Sequence, residues 1–394
     1  MTGAETQAGK PLPFDAAHLD RLMDEAGLDV LVATSKHNIQ YLLGGYRYFF
    51  FEHMDAIGTT RYLPALVYQR GKPENAAYIG AKQEVYEEEL GKFWPEKRDL
   101  GDVGSHAMMA RAASHIAALP GVRSVGVEAP FLSADGYQSL RDGLANCDVG
   151  DAVFPLERLR AVKTQEEIGY LREASERVID SMMATFQKHC QPGATKLDVT
   201  EALRNQEVSR ELGFDYLLMT AGTSLNRAPS DQRLETGDII SLDSGGNYKG
   251  YIGDLCRMGI IGEPDAELVD LLGFVEEVQQ IARKPVKAGA RGGDICAVAE
   301  ERRTASEHAP YTNFQAHGMG LVTHEAPRLM DSPRFSYGGY DMDRPLAAGM
   351  VLSLETTMAH PKRGFVKLED TVLVTEAGCE GLGDTGRGWN RAGG

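Results

Sequence analysis

The chain has 394 residues, 42% hydrophobic and 25% charged, without low-complexity tracts, so a globular protein of two domains is expected. A net charge of −16 argues against a nucleic-acid partner, and no apolar run approaches the ~18 residues of a membrane span. The start MTGAETQAGKPLPF lacks the regions of a secretory leader, and five scattered cysteines without a CxxC pair fit free thiols, so a cytoplasmic protein is expected.

After a polar tail, Leu19, Leu22, Met23 and Ala26 follow helical spacing, and Gly27 stands where a helix C′ residue would. Val30-Leu31-Val32-Ala33 is a short apolar run of buried-strand type. Ala65-Leu66-Val67-Tyr68, a helix around Met108–Ala118 and Val125-Gly126-Val127 continue an α/β domain with a mixed sheet. The aromatics of Tyr46–Phe51 read as core or interface. Near Phe154–Lys163 the texture changes, which predicts domains over 1–157 and 158–394. Thr164-Gln165-Glu166-Glu167 is a capping box. Ile168, Leu171, Ala174, Val178, Ile179 and Met182 then mark one face of a long helix that Pro192-Gly193 ends. A second helix is predicted over Lys196–Glu211, strands and hairpins from Tyr216 onward, and a helix near Ala266–Ala288.

Two acidic residues sit on apolar runs separated by turn formers: Asp243 in IISLD and Asp254 in GYIGD, with GGNYKG between them. A turn about the Tyr248–Lys249 bond would set Asp243 directly opposite Asp254, with Cβ atoms about 4.5–5.5 Å apart. A turn centred on Lys362 likewise sets Glu355 of VLSLE opposite Glu369 of VKLE. Facing like charges are destabilising unless a cation or proton lies between them. Four such carboxylates and the glycine-flanked His317 of QAHGMGLVTHEAP suit two divalent ions, with Mn²⁺, Co²⁺, Fe²⁺ and Zn²⁺ all compatible.

The segments LDSGGNYKGYIGD, HGMGLVTHEAP, LSLETT and KLEDTVLVTE, in that order, resemble the motifs of the pita-bread metallopeptidases and their relatives creatinase and ectoine hydrolase. Asn38-Ile39-Gln40-Tyr41-Leu42-Leu43-Gly44 is similar to a creatinase-type N-terminal domain, and Leu159-Arg160-Ala161-Val162-Lys163-Thr164 to the entry of the catalytic domain. The resemblance implies an α+β protein: a pita-bread catalytic domain preceded by a smaller creatinase-like α/β domain. It makes Asp243, Asp254, His317, Glu355 and Glu369 the metal ligands, and assigns substrate contact to His324 and proton relay to Glu355. The implied activity is that of an Xaa-Pro dipeptidase or aminopeptidase, cleaving a C–N amide bond through a metal-bridging hydroxide. A homodimer is implied, with neither nucleic acid nor membrane as partner.

Two positions depart from the family pattern. Asn226 stands where the peptidases carry a proton-moving histidine, and an amide cannot shuttle protons near pH 7. Lys367 stands where an arginine is usual, replacing a bidentate fork by a point charge. Both positions are expected to bind substrate, and both keep a second reading open. That reading is a non-peptidase of the same fold acting on a small molecule, in the manner of ectoine hydrolase or of a dimethylsulfoniopropionate lyase.

Overall fold

The structure, a computed structural model, describes residues 11–101, 103–331 and 338–393; the polar tail up to Lys10 lies outside them. The chain divides into two compact units, Met1–Leu159 and Arg160–Gly394. Among the described residues no helix is long and apolar enough to cross a membrane.

The first unit contains α1 (Ala16–Glu25), β1 (Val30–Ala33), α2 (Lys36–Leu42), β2 (Ala65–Gln69), β3 (Lys72–Gly80), β4 (Lys97–Leu100), α3 (Ser105–Ala117), β5 (Ser124–Val127), α4 (Ala134–Gly143), β6 (Asp148–Asp151) and α5 (Val153–Leu159). Its strands form one sheet in the order β4-β3-β2-β1-β5-β6. β1 pairs antiparallel with β2 and parallel with β5, so the sheet is mixed, as expected. All four residues of β1 are buried, which accounts for its unbroken apolar run. Gly27, just past α1, has φ +67°, a left-handed conformation that glycine adopts without steric cost. Tyr46, Tyr48 and Phe51 enter this unit's core, whereas Phe49 is 63% exposed.

The second unit begins with α6 (Gln165–His189), α7 (Lys196–Val208), β7 (Gly213–Ala221), β8 (Ile239–Tyr248), β9 (Tyr251–Ile261), α8 (Ala266–Arg283) and α9 (Gly293–Thr304). It continues with β10 (Thr312–Gly318), β11 (Val351–His360), β12 (Gly364–Val374), β13 (Cys379–Leu382) and β14 (Asn390–Ala392). The capping box forms: Thr164 Oγ1 accepts from the Glu167 amide at 3.3 Å, and the Glu167 carboxylate accepts from the Thr164 amide at 2.7 Å. α7 stops at Val208, short of the expected Glu211, because Glu211 takes a positive φ of 63° and leads into β7. α8 stops at Arg283, short of Ala288; Lys284 still has helical angles, but Pro285 after it offers no amide hydrogen to continue the ladder.

One sheet runs β10-β11-β12-β9-β8-β7, with β13 added to β12 and β14 to β9. Helices α6 and α7 pack behind β7–β9, and α8 and α9 behind β10–β12, forming two apolar layers against the same sheet. The opposite, front face is left to polar side chains.

Glu207, on α7, is fully buried behind β8; Ser244 Oγ donates to its Oε1 at 2.7 Å, and Oε2 has no partner. Burial pushes its carboxyl up to about 7, Ser244 opposing and Asp215 reinforcing the shift. A folded value above the unfolded one means that the folded state binds the proton more tightly. The associated stability is therefore present at acid pH and is lost as pH rises from the unfolded value through about 7. Glu207→Gln keeps an acceptor for Ser244 and removes the titration. It is expected to match wild type at pH 5 and to exceed it at pH 8 by about 2–3 kcal/mol in urea unfolding. Equal stabilities at pH 8 would contradict this.

Candidate metal centre

Strand register assembles the front face. β8 and β9 are joined by Lys249 and Gly250, at φ +53° and +97°, the positive values that a two-residue hairpin loop with the favoured twist requires. The turn therefore lies one bond further along than the sequence suggested. Asp243 faces Cys256, and Asp254 faces Gly245, so the expected direct Asp243–Asp254 pairing is corrected to a diagonal one. Moving the turn by one bond shifts the partner by two residues, which keeps both acids on the same face. The second hairpin pairs Glu355 with Glu369 as expected, about a turn with His360 facing Gly364. Glu369 in turn faces Cys256 of β9, and His317 of β10 faces Ser353 of β11. The five residues thus form a row across β10, β11, β12, β9 and β8. All five are buried, from 2% exposed for Asp243 and His317 to 8% for Glu355.

Each ligand candidate is held by named neighbours. Ser353 Oγ donates to Glu369 Oε1 at 2.8 Å, and the Tyr216 hydroxyl donates to Asp254 Oδ1. Tyr216 reaches Asp254 by lying across Gly245, where a Cβ would come within 2.3 Å of its ring. Arg227 Nη2 donates to Asp243 Oδ2. Lys367 Nζ lies 2.7 Å from Asp243 Oδ2, from Glu355 Oε2 and from Glu369 Oε2. Burial, with the neighbouring charges of Glu369 and Asp243, holds the Asp254 carboxyl well above the usual carboxylate range. Burial also raises Asp243, although Lys367 and Arg227 oppose it. Lys367 behaves the other way: burial alone would lower it, but Asp243, Glu355 and Glu369 keep it firmly protonated.

The glycines around His317 have a steric explanation. A Cβ on Gly318 would come within 2.4 Å of the Ala326 and Pro327 backbone, so only glycine lets the 318–327 loop fold back on β10. That return stacks His324 on His317, with ring centroids 3.8 Å apart and planes 12° from parallel. Burial, followed by the charges of His317 and Lys367, pushes His324 down to about 3, so its imidazole is neutral in ordinary buffers. The loop is pinned by Glu325, whose carboxylate accepts from Arg160 at 2.8 Å and from Lys163 at 3.0 Å, all three buried.

The donor set fits divalent metal. His317 Nδ1 lies 3.3 Å from the carbonyl oxygen of Gly318; a carbonyl can only accept, so the ring proton sits on Nδ1 and the lone pair on Nε2. His317 Nε2 is buried without a hydrogen-bond partner, a costly state unless a cation takes the lone pair. Ligand atoms of Asp254, His317 and Glu369 lie within 4.8 Å of one another, as do those of His317, His324 and Glu355.

Of the residues expected to bind substrate, His324 lies beside the row and Lys367 inside it. The Asn226 side chain instead accepts from the Ala228 amide at 3.0 Å in an exposed loop, and the next residue, Arg227, is the one that enters the site. Sequence reasoning missed Arg227, Tyr216 and Ser353. Ser353 could have been found, since strand alternation puts it on the face of Glu355. Tyr216 and Arg227 are brought in by β7 and its following loop, which carry no comparable signal.

Behind the sheet, Asp370 follows Glu369 in β12 and points the other way. It meets Arg257 Nη1 at 3.1 Å, Arg283 Nη2 at 3.1 Å, Arg387 Nη1 at 2.5 Å and Gln279 Nε2 at 2.8 Å. Burial pushes this carboxyl up, but Arg257, Arg387 and Arg283 together hold it well below the usual range. Arg257, 0% exposed, also donates to the carbonyls of Glu369, Gly383 and Thr385, tying β9 and β12 to the closing segment of the chain.

This fold and site place the chain in a known class. A profile described as metallopeptidase family M24 matches residues 169–376, more than half of the chain, and one described as the creatinase/prolidase N-terminal domain matches residues 16–162. The chain belongs to metallopeptidase family M24, and is a hydrolase of that family with a creatinase-type N-terminal domain and a pita-bread catalytic fold. Its relatives include the Xaa-Pro dipeptidase of Pyrococcus furiosus, 25% identical over 390 residues that cover 94% of this chain and 97% of the relative. The probable dipeptidase PepE of Mycobacterium tuberculosis is 28% identical over 367 residues, 90% of each chain. Among solved structures, an Xaa-Pro dipeptidase from Bacillus anthracis superimposes with a TM-score of 0.78 at 23% identity, covering 94% of this chain and 97% of its own. The prolidase from Pyrococcus horikoshii OT3 does so with a TM-score of 0.75 at 22% identity, covering 94% and 98%. These structural likenesses concern the fold.

Proposed function

We propose that the chain is a dinuclear metal-dependent amide hydrolase acting on Xaa-Pro dipeptides, with Asp243, Asp254, His317, Glu355 and Glu369 as ligands. The observation that carries this reading is the convergence of these residues on one buried sheet face, where the His317 Nε2 lone pair is unsatisfied. Two ions bound there, of Mn²⁺, Co²⁺, Fe²⁺ or Zn²⁺, would supply Lewis-acid polarisation of the scissile carbonyl and lower the pKa of water. Glu355, the most exposed of the five, takes the proton given up by the attacking water and passes it to the leaving nitrogen. Thr323 Oγ1 lies 3.0 Å from His324 Nδ1; with the hydroxyl donating there, His324 Nε2 carries the proton and steadies the oxygen on which charge develops. Likeness to the dipeptidases of Pyrococcus furiosus and Mycobacterium tuberculosis over nine-tenths of the chain or more supports the substrate class.

A second reading, hydrolysis or lyase chemistry on a small non-peptide, is favoured by Asn226. It offers no proton-moving group, and its side chain is spent on the loop. The test is a panel of Xaa-Pro dipeptides beside cyclic amidines and small osmolytes, with metals reconstituted one at a time. Cleavage of the dipeptides is expected. Turnover of the small molecules alone would replace the first reading by the second.

We also propose a cytoplasmic homodimer. The five free cysteines support the reducing compartment, and the exposed ring of Phe49 supports an apolar subunit contact. Sedimentation at micromolar concentration is expected to give twice the 42.9 kDa chain mass. A single 42.9 kDa species at high concentration would contradict the dimer.

A further inference from the structure

Lys367 stands among the proposed ligands. Its Nζ lies 2.7 Å from oxygens of Asp243, Glu355 and Glu369, and its side chain is 5% exposed. Asp243 Oδ2 takes Arg227 Nη2 as well, so two cations of the chain already claim the same oxygen. An ammonium and a divalent ion sharing those oxygens would lie close enough to repel strongly in a buried site. Asp254 and His317 are differently placed: neither touches Lys367, and with Glu369 they bring ligand atoms within 4.8 Å of one another. Glu369 can serve both sides, since Lys367 is on Oε2 and only the Ser353 hydroxyl is on Oε1.

We infer that Lys367 is a resident counter-cation of the ligand row, so that divalent ions load unequally. The first is held by Asp254, His317 and Glu369 with the lysine in place, and the second reaches Asp243 only when the ammonium withdraws. The inference rests on the proposed ligand assignment. It also means that the acidic row does not need metal in order to fold.

The experiment is Mn²⁺ binding to the chelator-stripped full-length protein, by equilibrium dialysis with elemental analysis, for wild type, Lys367→Met and Arg227→Met. Wild type is expected to bind one ion tightly and a second at least about tenfold more weakly. Lys367→Met is expected to tighten the second step at least about tenfold, and Arg227→Met by a smaller factor. Arg227 is 34% exposed, so its variant keeps the question answerable where the buried lysine variant fails to fold. Thermal melting supplies a readout independent of binding: without metal Lys367→Met should melt below wild type, and Mn²⁺ should restore it. Two equally tight ions in wild type, or no tightening in either folded variant, would overturn the inference while leaving the metal reading intact. No bound ion in any of the proteins would overturn the metal reading, and the inference with it.

Discussion

Glu369→Gln is expected to remove at least one divalent ion per chain and to lower kcat/KM on the order of 10³-fold. Glu369 is the centre of the row: it faces Glu355 on one side and Cys256 on the other. Its Oε1 accepts from Ser353 and its Oε2 meets Lys367. An amide keeps the volume but loses the charge. Wherever its NH₂ group settles it presents a donor to another donor, either the Ser353 hydroxyl or the Lys367 ammonium. The hydroxyl can turn round and accept, so the amide oxygen stays with the ammonium as a weakened ligand. Asp254→Ala should behave similarly. Elemental analysis of the purified variants, with kinetics on the best dipeptide, checks both parts. Full activity in a preparation stripped of metal would defeat the proposed metal dependence.

The second large effect lies behind the sheet. Asp370→Ala takes away the acid paired with Arg257, which has no route to solvent, while Arg283 keeps Asp384 and Arg387 keeps Asp384 and Glu276. Removing one partner of a buried ion pair typically costs about 3–5 kcal/mol, because the charge left behind, here that of Arg257, stays buried and uncompensated. For a domain of this size the melting temperature should fall on the order of 10 °C. The loss should not be recovered by added metal, since Asp370 points away from the ligands. That distinguishes it from the ligand variants. A shift under about 2 °C in thermal melting would show that Arg257 finds another acceptor.

Much of this was legible in the sequence, for a local reason. Alternation along a strand assigns Asp243, Asp254, Glu355 and Glu369 to a face without any knowledge of the remaining fold. The turn between β11 and β12 was placed correctly, and the pairing of Glu355 with Glu369 followed. The turn between β8 and β9 was placed one bond early because Lys249 adopts a positive φ, which a lysine does not advertise. The error left the faces unchanged, so the row survived it. What could not be read depends on distant segments. Tyr216 enters through the pairing of β7 with β8, Arg227 through the path of the loop after β7, and Asp370 acquires its arginines from β9, α8 and the end of the chain. None of these leaves a pattern in its own neighbourhood.

The row of proposed ligands draws on strands spread from β8 to β12, and that spread has a consequence for the newly made protein. When the ribosome has released β8 and β9, Asp243 and Asp254 can already share a hairpin, but His317, Glu355 and Glu369 do not yet exist as neighbours. The arginine clasp behind β12 comes later still, since it waits for Arg387. Contacts of such long sequence separation form late. A nascent or truncated chain therefore holds acids without a complete centre. The centre is complete only once β12 has paired with β11 and met β9.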